Sequence, residues 1–173
     1  MYEIEAKIRV ADLPKVRARL LQIGASSPTF SDQRDVYYNH PQRDFVATDE
    51  ALRIRYEGER CTITYKGPKI VTAGAKTREE FNLSVESGEV AENILQRLGF
   101  LRSAEVYKNR EEFALGSATI ALDQVEGLGS FVEIEVMAHQ CDDEAERRID
   151  EIKGELGIEG EHIPQSYLEL LTG

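Results

Sequence analysis

Acidic and basic side chains alternate with apolar ones along most of the extended stretches of this 173-residue chain. The opening segment reads E-I-E-A-K-I-R-V. Glu3, Glu5, Lys7 and Arg9 share one side of a strand, and Ile4, Ala6, Ile8 and Val10 the other, because side chains two apart project to the same face. The same period sets Arg53 and Arg55 opposite Leu52 and Ile54, and Thr62, Thr64 and Lys66 opposite Cys61, Ile63 and Tyr65. Arg78, Glu80 and Asn82 oppose Phe81 and Leu83, and Lys108, Arg110 and Glu112 oppose Phe113. Asp123 opposes Ile120 and Leu122, and Glu133 with Glu135 opposes Val132, Ile134 and Val136. Threonine and serine would serve a face that meets water; these faces are rich in guanidinium groups and paired carboxylates. Carboxylates are natural ligands of Mg2+ or Mn2+, and Arg and Lys clamp phosphoryl oxygens. The chemistry in view is that of a triphosphate with a divalent metal.

Such residues need elements to hold them. Asp12 caps a helix through Leu13, Val16, Leu20 and Leu21 that ends at Gly24, and Ser87 caps one through Val90, Ile94, Leu95 and Leu98 that ends at Gly99. A third helix starts at Asp142 or Asp143 and closes at Gly157, and a short fourth spans 164–171. Cap, apolar stripe and terminal glycine agree in the first three. Eight strands are expected over 2–10, 34–38, 51–57, 61–66, 78–85, 107–115, 118–125 and 131–138. Residues 67–77, rich in Gly, Pro and Lys, are expected to form a mobile loop. Strand, helix and three strands occur twice, which suggests a duplication placing Glu5 over Glu80 and Asp35 over Arg110. If the helices dock on the oily face of a curved sheet, the charged faces point inward. Eight antiparallel strands can then close around a small ligand.

The bulk composition narrows the partners. A formal net charge of −11 argues against general nucleic-acid binding and against anionic membranes. The two cysteines, Cys61 and Cys141, offer no disulfide framework and no zinc spacing, and His139 with Cys141 makes only half of a closed metal site. No apolar run is long enough to span a membrane, so the expected compartment is the cytoplasm. Exposed edges or apolar patches are compatible with a homodimer.

In order along the chain stand E-I-E-A-K (3–7), D-V-Y-Y (35–38), L-R-I-R (52–55), Y-K-G-P (65–68), R-E-E-F (78–81), Y-K-N-R (107–110), A-L-D-Q-V-E-G-L-G (121–129), F-V-E-I-E-V (131–136) and P-Q-S-Y-L-E-L-L (164–171). Together they resemble the CYTH family, the class IV adenylate cyclases and thiamine triphosphatases also called triphosphate tunnel metalloenzymes. The resemblance covers nearly the whole chain and implies a single domain over 1–173. The implied fold is α+β, an eight-stranded antiparallel β-barrel or tunnel with helices packed on the outside. It further implies that Glu3, Glu5, Glu80, Asp123, Glu133 and Glu135 hold Mg2+ or Mn2+. Lys7, Arg53, Arg55, Lys66, Lys108 and Arg110 would bind the phosphates of ATP or another triphosphate. Arg9, Arg78 and Glu112 join them from strand phase alone.

The implied activity is ATP cyclisation, in which the ribose 3′-hydroxyl attacks the α-phosphorus and expels pyrophosphate. The alternative is hydrolysis of inorganic or thiamine triphosphate, and a further one is a polyphosphate-binding module without turnover. The E-x-E pair at 133–135 looks more like the triphosphatase members, whereas V-E-G-L-G and the carboxyl-terminal segment look like the cyclase branch. In either reaction Glu133 or Asp123 would hold the metal and Lys7 or Lys66 would stabilise the pentacoordinate phosphorus. His40, His139 and His162 fall in loops or at strand ends and are poor general bases.

Overall fold

The computed structural model describes residues 2–72, 75–138 and 143–173, with side-chain detail for 4–69, 78–137 and 144–173. His139 and Cys141 lie outside the described residues. Among those described, the order is β1 (Tyr2–Arg9), α1 (Leu13–Gln22), β2 (Thr29–Asn39), β3 (Ala51–Glu57), β4 (Arg60–Thr72), β5 (Ala75–Val85), α2 (Gly88–Arg97), β6 (Leu101–Leu115), β7 (Ala118–Val125), β8 (Gly129–Ala138), α3 (Asp143–Leu156) and α4 (Tyr167–Thr172). The class is α+β with antiparallel strand pairing, as expected.

The chain forms two compact units, residues 1–31 with 108–173, and residues 32–107. Strand order is β1-β8-β7-β6 in the first and β2-β3-β4-β5 in the second. The element order β1-α1-β2-β3-β4 followed by β5-α2-β6-β7-β8 matches the suspected repeat. Each unit therefore joins the opening strand of one repeat to the three closing strands of the other. Equivalent positions carry swapped charges: Asp35 of β2 is registered with Arg55 of β3, and Arg110 of β6 with Asp123 of β7.

In the first unit the apolar sheet face is sealed by α1 and α3. Val16 and Leu20 from α1, and Ala145, Ile149, Ile152 and Leu156 from α3, join Ala6, Ile8, Phe113, Ile120, Leu122, Val132 and Ile134 in one core. Each fully buried aliphatic side chain contributes about 1.5–3 kcal/mol. The cap of α1 is as read: Asp12 accepts from the Lys15 N–H at 3.0 Å. Gly24, at φ +88°, ends the helix, a conformation open to glycine because it lacks a Cβ.

Three local readings are corrected. The stretch expected as a loop is strand on both sides, 67–72 in β4 and 75–77 in β5. The glycine and proline of G-P occupy a shift in register between Lys66 and Lys69, and a bulge is a place where a strand tolerates a residue without an N–H. The helix α2 packs only Leu95 of its apolar stripe inward and docks by its small residues. Val90, Ile94 and Leu98 are more than half exposed, while Gly88 and Ala91 are buried and Leu95 packs against the second core. The small residues let the helix approach closely, since a Cβ on Gly88 would lie 2.3 Å from the Tyr56 ring. Glu92 fastens it there by accepting the Tyr38 hydroxyl at 2.6 Å and the Tyr56 hydroxyl at 2.5 Å. The oily side of β5 is also left open, with Phe81 and Leu83 largely exposed.

Candidate active site

The charged faces lie opposite these cores, and much of what they carry is buried. Lys7, Lys108, Asp123 and Glu133 in the first unit and Asp35 and Thr64 in the second are each at most 9% exposed. A solvated sheet face would leave such groups open to water. Burying an ion costs several kcal/mol, roughly, unless it is paired, so the pairing decides what these faces can do.

In the first unit, strand register places Lys7 opposite Glu133 and Glu5 opposite Glu135. Asp123, wholly buried, is held on four sides. Arg110 donates from Nε to Oδ1 at 2.8 Å and from Nη2 to Oδ2 at 2.6 Å. The Tyr167 hydroxyl donates to Oδ2 at 2.7 Å, and Lys108 Nζ lies 3.4 Å from the same oxygen. Arg110 also pairs with Glu133, and Lys7 Nζ sits 3.6 Å from Glu133 and 3.8 Å from Glu5. Burial would raise the pKa of Asp123, but the hydrogen bond and charge of Arg110 and the charge of Lys108 overcome it and leave it lowered. Glu133 follows the same logic: burial raises it, and Lys108, Arg110 and Lys7 pull it below the ordinary value. Both acids are thus carboxylates near neutral pH, and the Arg110 pKa is raised.

In the second unit Arg55 grips Asp35 with two bonds of 2.7 Å, and Arg53 Nη1 adds a third at 3.3 Å. Arg53 Nε is buried with no hydrogen-bond partner. Lys66 Nζ is 2.8 Å from Glu80, whose other oxygen accepts from Asn82 at 3.0 Å. Burial would raise Glu80, and Lys66, Asn82 and Arg53 together lower it.

Each unit therefore gathers its own share of the expected residues: Glu5, Lys7, Lys108, Arg110, Asp123, Glu133 and Glu135 in one, Arg53, Arg55, Lys66 and Glu80 in the other. The Glu3 side chain lies outside the described residues. Two residues added from strand phase have other work. Arg9 donates to the Leu128 carbonyl, and Arg78 donates to the Gly67 and Asp49 carbonyls at 2.6 and 2.9 Å, tying down the bulge. Glu112 is exposed. Asp35 and Tyr167 were not among the expected site residues. Asp35 stands in the quoted D-V-Y-Y motif and Tyr167 in P-Q-S-Y-L-E-L-L, so both motifs were visible while the partners of these residues were not.

The model of the CYTH domain matches residues 1–167. The chain belongs to the CYTH family. A protein of Methanocaldococcus jannaschii named as a candidate adenylate cyclase is 38% identical to it over 173 residues, covering 98% of each chain. A solved structure of a Pyrococcus horikoshii protein shares 38% identity with a TM-score of 0.84, over 99% of this CYTH chain and 98% of that one. A Hippeastrum protein described as a candidate adenylyl cyclase with a dominant triphosphatase activity superposes at TM-score 0.71 and 17% identity, over 98% of this chain and 95% of that one. That last likeness is one of fold. No described helix is long and apolar enough to cross a membrane.

The family implies a divalent metal, and the donor chemistry here fits one. Among the described residues no three His, Cys, Asp or Glu side chains converge as a ready-made cage. Mg2+ characteristically takes one or two carboxylates and completes its shell with water and substrate phosphate oxygens. Glu5 and Glu135 stand directly opposite one another, a pair of carboxylates of the kind that hard divalent cations take. Glu133 is two residues along on the same face. Asp123, by contrast, has its oxygens engaged by Arg110, Lys108 and Tyr167.

Proposed function

We propose that this CYTH protein is a divalent-metal-dependent enzyme acting on triphosphates, of the class IV adenylate cyclase kind, converting ATP to cyclic AMP and pyrophosphate. The observation that supports it most is the burial of interleaved cations and carboxylates on faces opposite the hydrophobic cores. Stability alone gains little from such pairs, since hydrophobic residues of similar volume would serve as well or better. In this reading the phosphate-binding cations are Lys7, Lys108 and Arg110 in the first unit and Arg53, Arg55 and Lys66 in the second. Arg supplies planar two-point contacts and Lys point charges. The carboxylates that would hold Mg2+ or Mn2+ are Glu3, Glu5, Glu133 and Glu135 in the first unit and Glu80 in the second, and Asp123 orients Arg110 toward Glu133. The ion supplies charge neutralisation at the phosphoryl oxygens and a lowered pKa for the attacking hydroxyl. Lys7 or Lys66 stabilises the charge that develops on the phosphorus oxygens as the bond to the leaving group breaks.

Hydrolysis of tripolyphosphate or thiamine triphosphate is the second reading, favoured by one observation: Glu133 and Glu135 lie on one face together with Glu5, an acid-rich stretch suited to holding a water nucleophile. Incubation with Mg2+ or Mn2+ and, separately, ATP, tripolyphosphate and thiamine triphosphate separates the two. Cyclic AMP with pyrophosphate supports the cyclase. Orthophosphate without cyclic AMP supports hydrolysis, and binding without any product refutes both. Glu5→Ala should abolish turnover while leaving the circular dichroism spectrum unchanged; full activity in that variant would refute the metal assignment.

A further inference from the structure

Tyr167 is buried at 7% exposure, and its surroundings are unusual for a tyrosine of a six-residue terminal helix. Its ring lies 4.6 Å from Lys7 Nζ and 5.0 Å from Lys108 Nζ, measured to the centroid. Phe131 meets it edge-on with ring centroids 5.1 Å apart. Its hydroxyl is spent on Asp123 at 2.7 Å. Two ammonium groups from strands β1 and β6 thus share one aromatic ring, each attracted by the negative charge of the π system.

The segment before the helix completes the arrangement. The Ile163 N–H donates to the Lys7 carbonyl at 2.7 Å, and the Lys7 N–H donates to His162 Nδ1 at 3.1 Å. The Gln165 carbonyl accepts from Lys7 Nζ at 3.1 Å. A reciprocal cap between Ser166 and Glu169 then starts α4 at Tyr167. Residues 162–166 are therefore pinned along β1 and deliver Tyr167 to one place. Phe131 and the Asp123 bond hold the ring there.

We infer that Tyr167 is a positioning residue for substrate: its ring fixes the spacing of the Lys7 and Lys108 ammonium groups and so sets which phosphate oxygens they can bind. This rests on the reading that these lysines bind a triphosphate. Free lysine side chains carry substantial rotamer entropy. Holding two of them before the ligand arrives lowers the ordering cost of binding. The Gln165 carbonyl and the carboxylates hold each ammonium group singly, whereas the ring meets both; the hydroxyl serves Asp123. The contribution is to affinity, since the ammonium groups would be equally placed in ground state and transition state.

The test compares wild type, Tyr167→Phe and Tyr167→Leu by calorimetric titration with tripolyphosphate in metal-free buffer, followed by steady-state kinetics with whichever triphosphate is turned over. Tyr167→Phe keeps the ring and should bind within about twofold of wild type, whereas Tyr167→Leu should bind about tenfold more weakly. In kinetics the leucine variant should raise KM with little change in kcat. Lys108→Met, alone and combined with Tyr167→Leu, supplies a cycle that a general loss of folding would not mimic: the two losses should be markedly less than additive. Wild-type affinity in Tyr167→Leu overturns the inference. Equal weakening in Tyr167→Phe, or strict additivity with Lys108→Met, does so too, by showing that the ring does not act through the lysine. Failure of the wild type to bind tripolyphosphate overturns the phosphate-binding role of these lysines, and with it this inference, whereas the cyclase reading stands or falls on product formation with metal.

Discussion

Asp35 offers the sharpest test of how the charged faces are built. It pairs with both Arg53 and Arg55, with two bonds of 2.7 Å to Arg55 and one of 3.3 Å to Arg53, and its side chain is 5% exposed. Asp35→Asn keeps the shape but removes the charge and turns one oxygen into a donor facing a guanidinium. Hydrogen bonds to charged groups contribute about 1.5–3 kcal/mol each, and breaking one partner from a buried pair costs about 3–5 kcal/mol. At the lower figure, and with about 2–4 °C lost per kcal/mol for a chain of this size, the melting temperature should fall by about 6–12 °C. Thermal melts followed by far-UV circular dichroism at pH 7 measure it. If Arg53 and Arg55 also bind substrate, the uncompensated cations of Asp35→Asn should welcome an anion. Tripolyphosphate at a saturating level should then raise the melting temperature of the variant by more than it raises that of wild type. A variant melting within about 2 °C of wild type, less than 1 kcal/mol would produce, refutes the structural part. An equal or smaller rise with tripolyphosphate refutes the substrate-facing role.

Gly88→Ala should loosen α2, because the new Cβ would meet the Tyr56 ring at 2.3 Å; a drop of about 1–3 kcal/mol in denaturant unfolding is expected, and no drop would show that the helix shifts freely. Glu92 should make stability depend on acid. Burial raises its pKa, but the hydroxyls of Tyr38 and Tyr56 and the charges of Arg102 and Arg34 leave it below its ordinary 4.5. Its contribution is then present above about pH 4.5 and is lost as pH falls through the lowered folded value. The stability gap between wild type and Glu92→Gln should narrow between pH 5 and pH 3, about the range where glutamate titrates, and a gap constant with pH would contradict it. Glu133→Gln should cut turnover by roughly a hundredfold while leaving metal-free tripolyphosphate affinity equal or tighter, since a negative charge near Lys7 and Arg110 is removed; calorimetry beside an activity assay checks both halves.

The elements were legible because local signals agreed. Asp12 and Gly24 bound α1, and Ser87 and Gly99 bound α2, by the same cap chemistry that the structure shows. The alternation at 3–10 and 131–136 placed Lys7 and Glu133 on one face before their register was known. The misses share a cause. The extended hairpin past Lys66 was hidden by Gly67 and Pro68, which mark a loop in sequence and a bulge in a paired strand. Of the stripe Val90, Ile94, Leu95 and Leu98 only Leu95 packs inward, and Gly88, Ala91 and Glu92 signal close approach and a buried acid only once Tyr56 and Tyr38 are beside them.

By itself the order of residues determined the class of fold, the ends of the first helices, and which charges share a strand face, because caps and the two-residue period act within a few residues of chain. Only the tertiary structure decided which charge meets which. Asp123 with Arg110 and Tyr167, Asp35 with two arginines, and Lys7 under the ring of a residue 160 positions away are contacts across strands and segments. No local pattern encodes such pairings; they follow from register and burial, where an ion must find its partner or stay in water.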